Sequence, residues 1–206
     1  MADSHQRLVA VFRAARSLNE ALWNSGVDSA YMSVDEFADV VRQRCKVEIE
    51  FLEVDIENKA VHGLIERYGP NGERAKIYLT QLGSPQRRVV GTKELCQIVL
   101  DLEEDFSTDA VDTLERLTSD VPDPAAPENL VVRSEWNAEL LARELLYPHE
   151  LRWGHFAQLE AGTITAEEIA GRFQIPVDLV TDVLTRPYLT ACDGLWMLAT
   201  QAQAAE

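Results

Sequence analysis

The spacing of apolar residues predicts helices in the first part of the chain. Between residues 4 and 23, apolar side chains recur at intervals of three and four, the spacing of one helical face. Ser33 and Glu36 then match a capping box, in which the serine caps the first amides of a second helix and the glutamate reaches back. Phe37 and Val41 follow on the expected inner face of that helix.

The period changes after residue 46, which predicts strands. Apolar and β-branched residues indicate strands over 47–54, 60–68 and 75–79. Gly-Pro-Asn-Gly at 69–72 is a strong turn signal, so the second and third strands are expected to form an antiparallel hairpin. We therefore expect a small antiparallel sheet of about three strands, flanked by helices.

Helical spacing returns in the second half of the chain. The pattern predicts a helix from Ser84 or Arg88 to Glu104 and a weaker helix over 108–117. A proline-rich loop is expected over 121–127. The next helix is expected to be capped by Ser134 and ended by Pro148. Thr165 and Glu168 form a second capping box. Two short helices separated by residues 174–176 follow it, which is the outline of a helix-turn-helix.

Composition and charge narrow the class of protein. The chain has 206 residues, 46% of them hydrophobic, and carries 19 basic against 35 acidic residues, a formal net charge of −16. This acidity opposes binding to a phosphate backbone. The chain contains no long apolar run and no signal-peptide pattern, so we expect a cytoplasmic protein. Its three cysteines are irregularly spaced, which favours reduced thiols over a disulfide framework.

A five-residue motif carries the most specific chemical signal. Lys93-Glu94-Leu95-Cys96-Gln97 stands in the pattern of the zinc-peptidase motif His-Glu-x-x-His. Residues i and i+4 share a helical face, so two histidines there can hold one metal ion while the glutamate acts on water. Lysine repels zinc and glutamine is a poor ligand for it. The motif predicts a metallopeptidase helix that has lost its metal.

The order of these elements resembles the ImmA/IrrE family of metallopeptidase-like proteins, from about Ser33 to Leu184. Residues 93–100 are similar to the family's His-Glu-x-x-His segment, 137–148 to a later signature that ends in Leu-Leu-Met-Pro, and 169–176 to the turn of its helix-turn-helix-like unit. The resemblance implies a zincin-like α+β domain. It also implies that the former metal-ligand positions are Lys93, Gln97 and Asn137, although Glu135 stands two residues away and leaves the register open. Glu94 would be the vestigial general base.

Other residues offer alternative chemistry. Cys96, His149 and His155 are candidates for a replacement metal site, but the spacing of the two histidines does not align them on one helical face. Cys96 or Cys45 could act as a nucleophile if a histidine lay beside it, although a buried structural thiol is the commoner role. Glu94 could instead form a surface ion pair with Lys93 or Arg88.

Four residues are candidates for binding a partner. Arg87, Arg88 and Lys93 belong to a local basic region that either binds anions or is an ordinary solvated surface. Most of the four tryptophans are expected to be core or seam residues. Trp153, in an Arg-Trp-Gly-His-Phe sequence, could instead be a partner anchor, because exposed clusters of aromatic residues and arginine often are. Direct DNA binding is disfavoured because residues 177–184, the expected recognition helix, contain two aspartates and no basic residue.

Together these observations predict a degenerate peptidase-like domain over 1–148 and a helical, helix-turn-helix-like region over 149–206 packed on it. The expected function is non-catalytic binding, without cofactor, to a protein that is a transcriptional regulator or stress-response factor, because active members of the resembled family cleave helix-turn-helix repressors. The alternative is a metallopeptidase that cleaves a repressor through a non-standard metal site. A third reading is a phage- or mobile-element-encoded domain that works through a different face.

Overall fold

The computed structural model describes residues 2–55, 62–69, 71–100 and 130–203. The expected helix over 108–117, the expected loop over 121–127 and the expected helix end at Glu104 lie outside these ranges. None of the helices in the described ranges combines the length and the apolar character needed to cross a membrane.

The described residues form an α+β fold, as the apolar pattern predicted. Eight helices and three strands follow one another along these ranges. In chain order they are α1 (Ala2–Asn24), α2 (Val34–Cys45), β1 (Glu48–Glu53), β2 (Gly63–Tyr68), β3 (Arg74–Leu79), α3 (Ser84–Leu100), α4 (Leu130–Leu146), α5 (His149–Glu160), α6 (Ala166–Phe173), α7 (Val177–Val183) and α8 (Arg186–Gln203).

Both predicted capping boxes are confirmed. The Ser33 hydroxyl accepts the Glu36 backbone N–H at 3.2 Å, and the Glu36 carboxylate accepts the Ser33 N–H at 2.7 Å. Thr165 and Glu168 repeat this arrangement at 3.2 and 2.8 Å. Each box satisfies amide groups that the first turn of a helix leaves without an intrahelical acceptor.

The prediction that Ser134 caps a helix is wrong. Helix α4 begins at Leu130, so Ser134 lies inside it, beyond its first turn. An N-cap residue stands just before the first helical residue, and the preference of serine for that place is weak enough for its surroundings to override it. The predicted end of the same helix before Pro148 is confirmed.

The sheet is mixed, which corrects the expected antiparallel sheet. Its strand order is β1-β3-β2. β2 and β3 form the predicted antiparallel pair, but β1 runs parallel to β3 on the other side. Alternation of apolar residues determines which face of a strand is buried and leaves its direction undetermined, whereas the 69–72 turn determines the direction of only one pair. The central strand β3 buries Ala75, Ile77 and Leu79.

Two compact units divide the chain, one over residues 33–139 and the other over 1–32 together with 140–206. Within the second unit, α1 packs on α8, where the rings of Phe12 and Trp196 meet edge to face with centroids 5.5 Å apart. The boundary expected between residues 148 and 149 stays a prediction. Apolar periodicity marks the buried face of α1 but does not identify the helix that covers it.

The two short C-terminal helices have the predicted outline. Helices α6 and α7 are separated by residues 174–176, and Gln174 adopts a left-handed backbone conformation at φ 50° that ends α6. Ile169, Phe173, Val180 and Val183 are buried. The identification of this pair as a helix-turn-helix unit remains a prediction.

Candidate functional site

Helix α3 positions the motif at residues 93–97 against the sheet and against α2. The helix begins with Ser84-Pro85, and proline is favoured in the first turn because it has no amide hydrogen to satisfy. At Gly91 a Cβ atom would lie 2.9 Å from Val34 Cγ1, so only glycine allows this approach of α2 without a shift. At Gly63, where β2 begins, a Cβ atom would lie 2.5 Å from Glu94 Oε1. The Glu94 carboxylate therefore lies close to the backbone of β2 at Gly63.

Lys93, Glu94, Gln97 and Glu135 form one polar cluster, which we call the ammonium site. Lys93 Nζ lies 2.8 Å from Glu94 Oε1 and donates to Glu135 Oε2. The Gln97 amide donates to the other carboxylate oxygen, Glu135 Oε1. Residues i and i+4 of α3 thus bind the two oxygens of a single carboxylate from α4.

The ammonium site is largely shielded from water. The side chains of Lys93, Glu94 and Glu135 are 17%, 0% and 20% exposed. Burial opposes the charge on Lys93, but the carboxylates of Glu94 and Glu135 outweigh that effect and raise the pKa of the ammonium above its ordinary value. Lys93 is therefore a permanent cation at neutral pH. The Lys93–Glu94 pair occurs as expected, but it is buried and not on the surface.

Glu135, and not Asn137, faces the motif. Two residues correspond to about 200° around a helix, which places Asn137 on a different side of α4. The sequence left two registers open for the third position, one with Asn137 and one with Glu135. In the structure the acidic residue, Glu135, makes the contacts. Where a His-Glu-x-x-His zinc site has two imidazoles, this site has an ammonium and an amide, and both contact a carboxylate.

This donor set does not fit zinc. A protonated lysine has no lone pair to offer a metal, and an amide nitrogen is already engaged with Glu135. Within the described ranges, no three His, Cys, Asp or Glu side chains are grouped so that they could hold a metal ion.

The candidates for a replacement metal site have other contacts. His155 Nδ1 lies 2.7 Å from the Tyr147 hydroxyl, and His149 Nε2 lies 3.1 Å from Asp193 Oδ1. Cys96 is fully buried, and burial raises the pKa of its thiol well above the ordinary value.

The other two thiols are also poor nucleophiles. Cys45 and Cys192 are free, like Cys96. Burial raises the pKa of Cys45, and burial followed by the Glu144 charge raises that of Cys192 to about 12. Because the thiolate is the reactive form, none of the three has the electrostatics of a nucleophile at neutral pH.

The partner-binding candidates differ in exposure. Arg87 is at the surface, with its guanidinium 3.4 Å from Glu53 Oε2. Arg88 is 7% exposed, and burial lowers its pKa to about 10. Because Arg88 is buried and Lys93 is largely shielded, the three cations do not form one surface patch. Trp153 is 37% exposed, and its indole N–H donates to Asp193 Oδ2 at 2.8 Å.

A second buried ion pair was not anticipated from the sequence. Arg152 Nη1 lies 2.6 Å from Glu144 Oε1, and both side chains are 0% exposed. Glu144 also accepts from the Trp196 indole at 2.8 Å and the Tyr188 hydroxyl at 3.3 Å. Local sequence does not mark this pair, because Glu144 and Arg152 lie on different helices that only the tertiary fold brings together. These contacts connect α4, α5 and α8.

No protein-family model, curated protein or solved structure shows significant similarity to this chain.

Proposed function

We propose that this chain is a non-catalytic relative of the ImmA/IrrE peptidases that works in the cytoplasm by binding a transcriptional regulator or stress-response factor. The supporting observation is the Lys93 ammonium between Glu94 and Glu135. On the proposed relationship, residues 93 and 97 correspond to the two histidines that hold zinc in an active peptidase, so the ammonium would stand where the metal activates water.

The chemistry of the ammonium site supports binding without cleavage. A metal ion activates water by coordinating its oxygen and lowering its pKa, which an ammonium group cannot do because it has no vacant coordination position. The Glu94 carboxylate, the vestigial base, is paired with Lys93. The zincin-like fold would then serve as a binding scaffold.

The charge of the chain supports a basic protein as the partner. At −16, the chain attracts proteins whose surfaces carry lysine and arginine, and DNA-binding faces of regulators have that character. Helix α7 itself contains Asp178 and Asp182 and no basic residue, so it is poorly suited to contact DNA phosphates. The chain would compete with DNA for the regulator.

Affinity capture from the source cell, followed by binding measurements on the purified partner, tests this proposal. We expect an intact DNA-binding regulator that dissociates as salt rises from about 50 to 500 mM, since surface electrostatic attraction is screened over that range, and that operator DNA displaces. Cleavage of the regulator by the purified chain would contradict the proposal, and salt-independent binding would contradict its electrostatic part.

Trp153 provides a sharper test within the same assay. If it anchors the partner, Trp153→Ala weakens binding by on the order of 10-fold or more. Trp23→Ala is the matched control, because Trp23 is 75% exposed and we assign it no role. Equal effects of the two substitutions would exclude Trp153 as an anchor.

A further inference from the structure

The outward side of α8 carries an uncharged, partly apolar surface. Four of its residues are exposed, Thr190, Ala191, Met197 and Leu198, the last two by 58% and 38%. Gly194 lies between the two pairs. Their spacing places these five residues, which we call the α8 face, on one side of the helix. The chain has 35 acidic residues, and none belongs to this face. An exposed apolar surface on a charged protein is typical of an interaction site.

Gly194, at the centre of the α8 face, faces open space. A Cβ atom added there would meet no atom of the described residues within 4 Å, whereas one added at Gly91 would lie 2.9 Å from Val34. Glycine inside a helix lowers its stability relative to alanine. Close approach of another backbone is a common reason for such a glycine, and at Gly194 a second molecule can supply that approach.

The order of residues along the α8 face is complementary to itself. Two small residues precede Gly194 by three and four positions, and two large ones follow it by three and four. We infer that α8 pairs antiparallel with α8 of a second copy of the chain, with a two-fold axis at Gly194. The large side chains of each copy then pack on the small residues of the other, and the two glycines let the helices approach closely. This inference does not depend on the proposed regulator.

Charge favours a second copy over a cationic partner at this face. Carboxylates attract a cationic partner, and the α8 face contains none. Asp193, at one edge, accepts the Trp153 indole N–H at 2.8 Å. Arg186, at the start of α8, is 69% exposed and lies 3.7 Å from Glu160. In the antiparallel pair, Arg186 of each copy approaches the C-terminal end of the other α8, where the helix dipole favours a cation.

Sedimentation equilibrium of the purified chain tests the pairing. Two crossed helices bury less than the roughly 1,200 Å² of a standard interface, so we expect a dimer with a dissociation constant on the order of 10–100 μM. Because each copy carries a net charge of −16, the dimer should tighten as salt rises from about 50 to 500 mM and screens their repulsion. A chain that stays monomeric up to about 1 mM, or a dimer that salt weakens, overturns the inference.

The direction of the salt effect also separates this test from that of the proposed function. Binding of a cationic regulator should weaken over the same range of salt, because its attraction is screened. The dimer forms in the purified chain alone, so failure to find a regulator leaves it unchanged.

Leu198→Glu should raise the dissociation constant of the dimer by on the order of 100-fold, since each copy then brings a carboxylate into the interface. Leu151→Glu is the matched control, because Leu151 is a similarly exposed leucine, at 44%, on α5 and outside the α8 face. Equal effects of the two substitutions, or no effect of Leu198→Glu, would overturn the inference.

Alanine at Gly194 should change stability and pairing in opposite directions. Gly194→Ala should raise the midpoint of thermal unfolding of the monomer, because alanine favours the helix and its methyl group points into open space. It should weaken the dimer by about 10-fold, because the two methyl groups meet at the axis. Gly154→Ala on α5, where an added Cβ also meets nothing within 4 Å, should raise the midpoint and leave the dimer unchanged. A dimer that Gly194→Ala leaves intact would contradict the crossing at this residue.

Discussion

Lys93 differs from a surface lysine in both its partners and its surroundings. Its ammonium donates to Glu135 and lies 2.8 Å from Glu94 Oε1 as an ion pair, and its side chain is 17% exposed. Ion pairs in contact with water contribute about 0–1 kcal/mol, because water solvates the separated charges nearly as well. Removing one partner of a buried pair is much more costly, because the remaining charge is left without compensation.

Replacing Lys93 with methionine should therefore destabilise the chain strongly. We expect Lys93→Met to lower the free energy of unfolding by about 3 kcal/mol at pH 7, the low end of the range for buried pairs because the lysine keeps some exposure. Urea unfolding measures the change. Because the pKa of Lys93 is raised on folding, its contribution is complete at neutral pH and is lost only as pH rises through the folded pKa.

Arg16 provides the matched control for a lost cation. It pairs with Glu20 at 3.2 Å on α1, where the two side chains are 38% and 61% exposed. Arg16→Met should change the free energy of unfolding by less than about 0.5 kcal/mol. Similar costs for the two substitutions would contradict the assignment of Lys93 to a shielded site.

The hydrogen bond of Tyr78 to Glu66 should lose its contribution to the stability of the fold at alkaline pH. Its hydroxyl donates to Glu66 Oε2 at 2.6 Å, and this hydrogen bond, with burial, raises the pKa of Tyr78 to about 12. Because the pKa of Tyr78 is higher in the folded than in the unfolded chain, its protonated hydroxyl contributes its full stabilisation below the unfolded pKa of about 10. This contribution falls progressively as pH rises towards the folded pKa of about 12. The stability difference between the natural chain and Tyr78→Phe should therefore shrink between about pH 10 and 12, as measured by urea unfolding. A constant difference would count against the hydrogen bond.

At the scale of elements, the close approach of α2 and α3 depends on a missing side chain. Gly91 lies inside α3, where glycine lowers intrinsic helix stability by about 1 kcal/mol relative to alanine. Because a Cβ atom would lie 2.9 and 3.0 Å from the Val34 methyl groups, the packing of the two helices requires glycine there. Packing and helix propensity are opposed at this position.

Alanine substitution can separate these two effects. Gly91→Ala should lower the free energy of unfolding by about 1–2 kcal/mol, because overpacking costs about 1–3 kcal/mol and exceeds the propensity gain. Gly171→Ala is the matched control: Gly171 is in α6 and has no atom within 4 Å of an added Cβ, so the same change should raise stability by about 0.5–1 kcal/mol. Thermal unfolding of both variants tests the opposite signs, and a stabilised Gly91→Ala would contradict the close approach.

At the scale of the whole molecule, the cation that organises the ammonium site is part of the chain. A structural zinc ion contributes folding free energy, so its removal by a chelator unfolds or weakens proteins that depend on it. If Lys93 supplies the positive charge at the ammonium site, as proposed, overnight dialysis against EDTA should leave the midpoint of thermal unfolding unchanged within about 1 °C. Elemental analysis before dialysis is the control, and stoichiometric zinc at that stage would favour the alternative metallopeptidase.

The parts that the sequence predicted well depend on neighbours along the chain. The capping boxes at Ser33 and Thr165 were predicted because their partners are three residues away. The β2–β3 hairpin was predicted because its turn is local. The direction of β1, the start of α4 and the packing of α1 on α8 depend on elements distant in sequence, and periodicity carries no information about them.

The sequence by itself determined that residues 93 and 97 share a helical face and that neither is a good zinc ligand, because helical spacing and side-chain chemistry are local properties. Only the tertiary structure decided that Glu135, from a helix beginning about 30 residues after α3 ends, closes the ammonium site. It also decided that Lys93 and Glu94 are shielded from water. Burial and ion pairing arise only when distant segments pack together. Here the carboxylates that packing brings to Lys93 raise its pKa, so its ammonium stays charged.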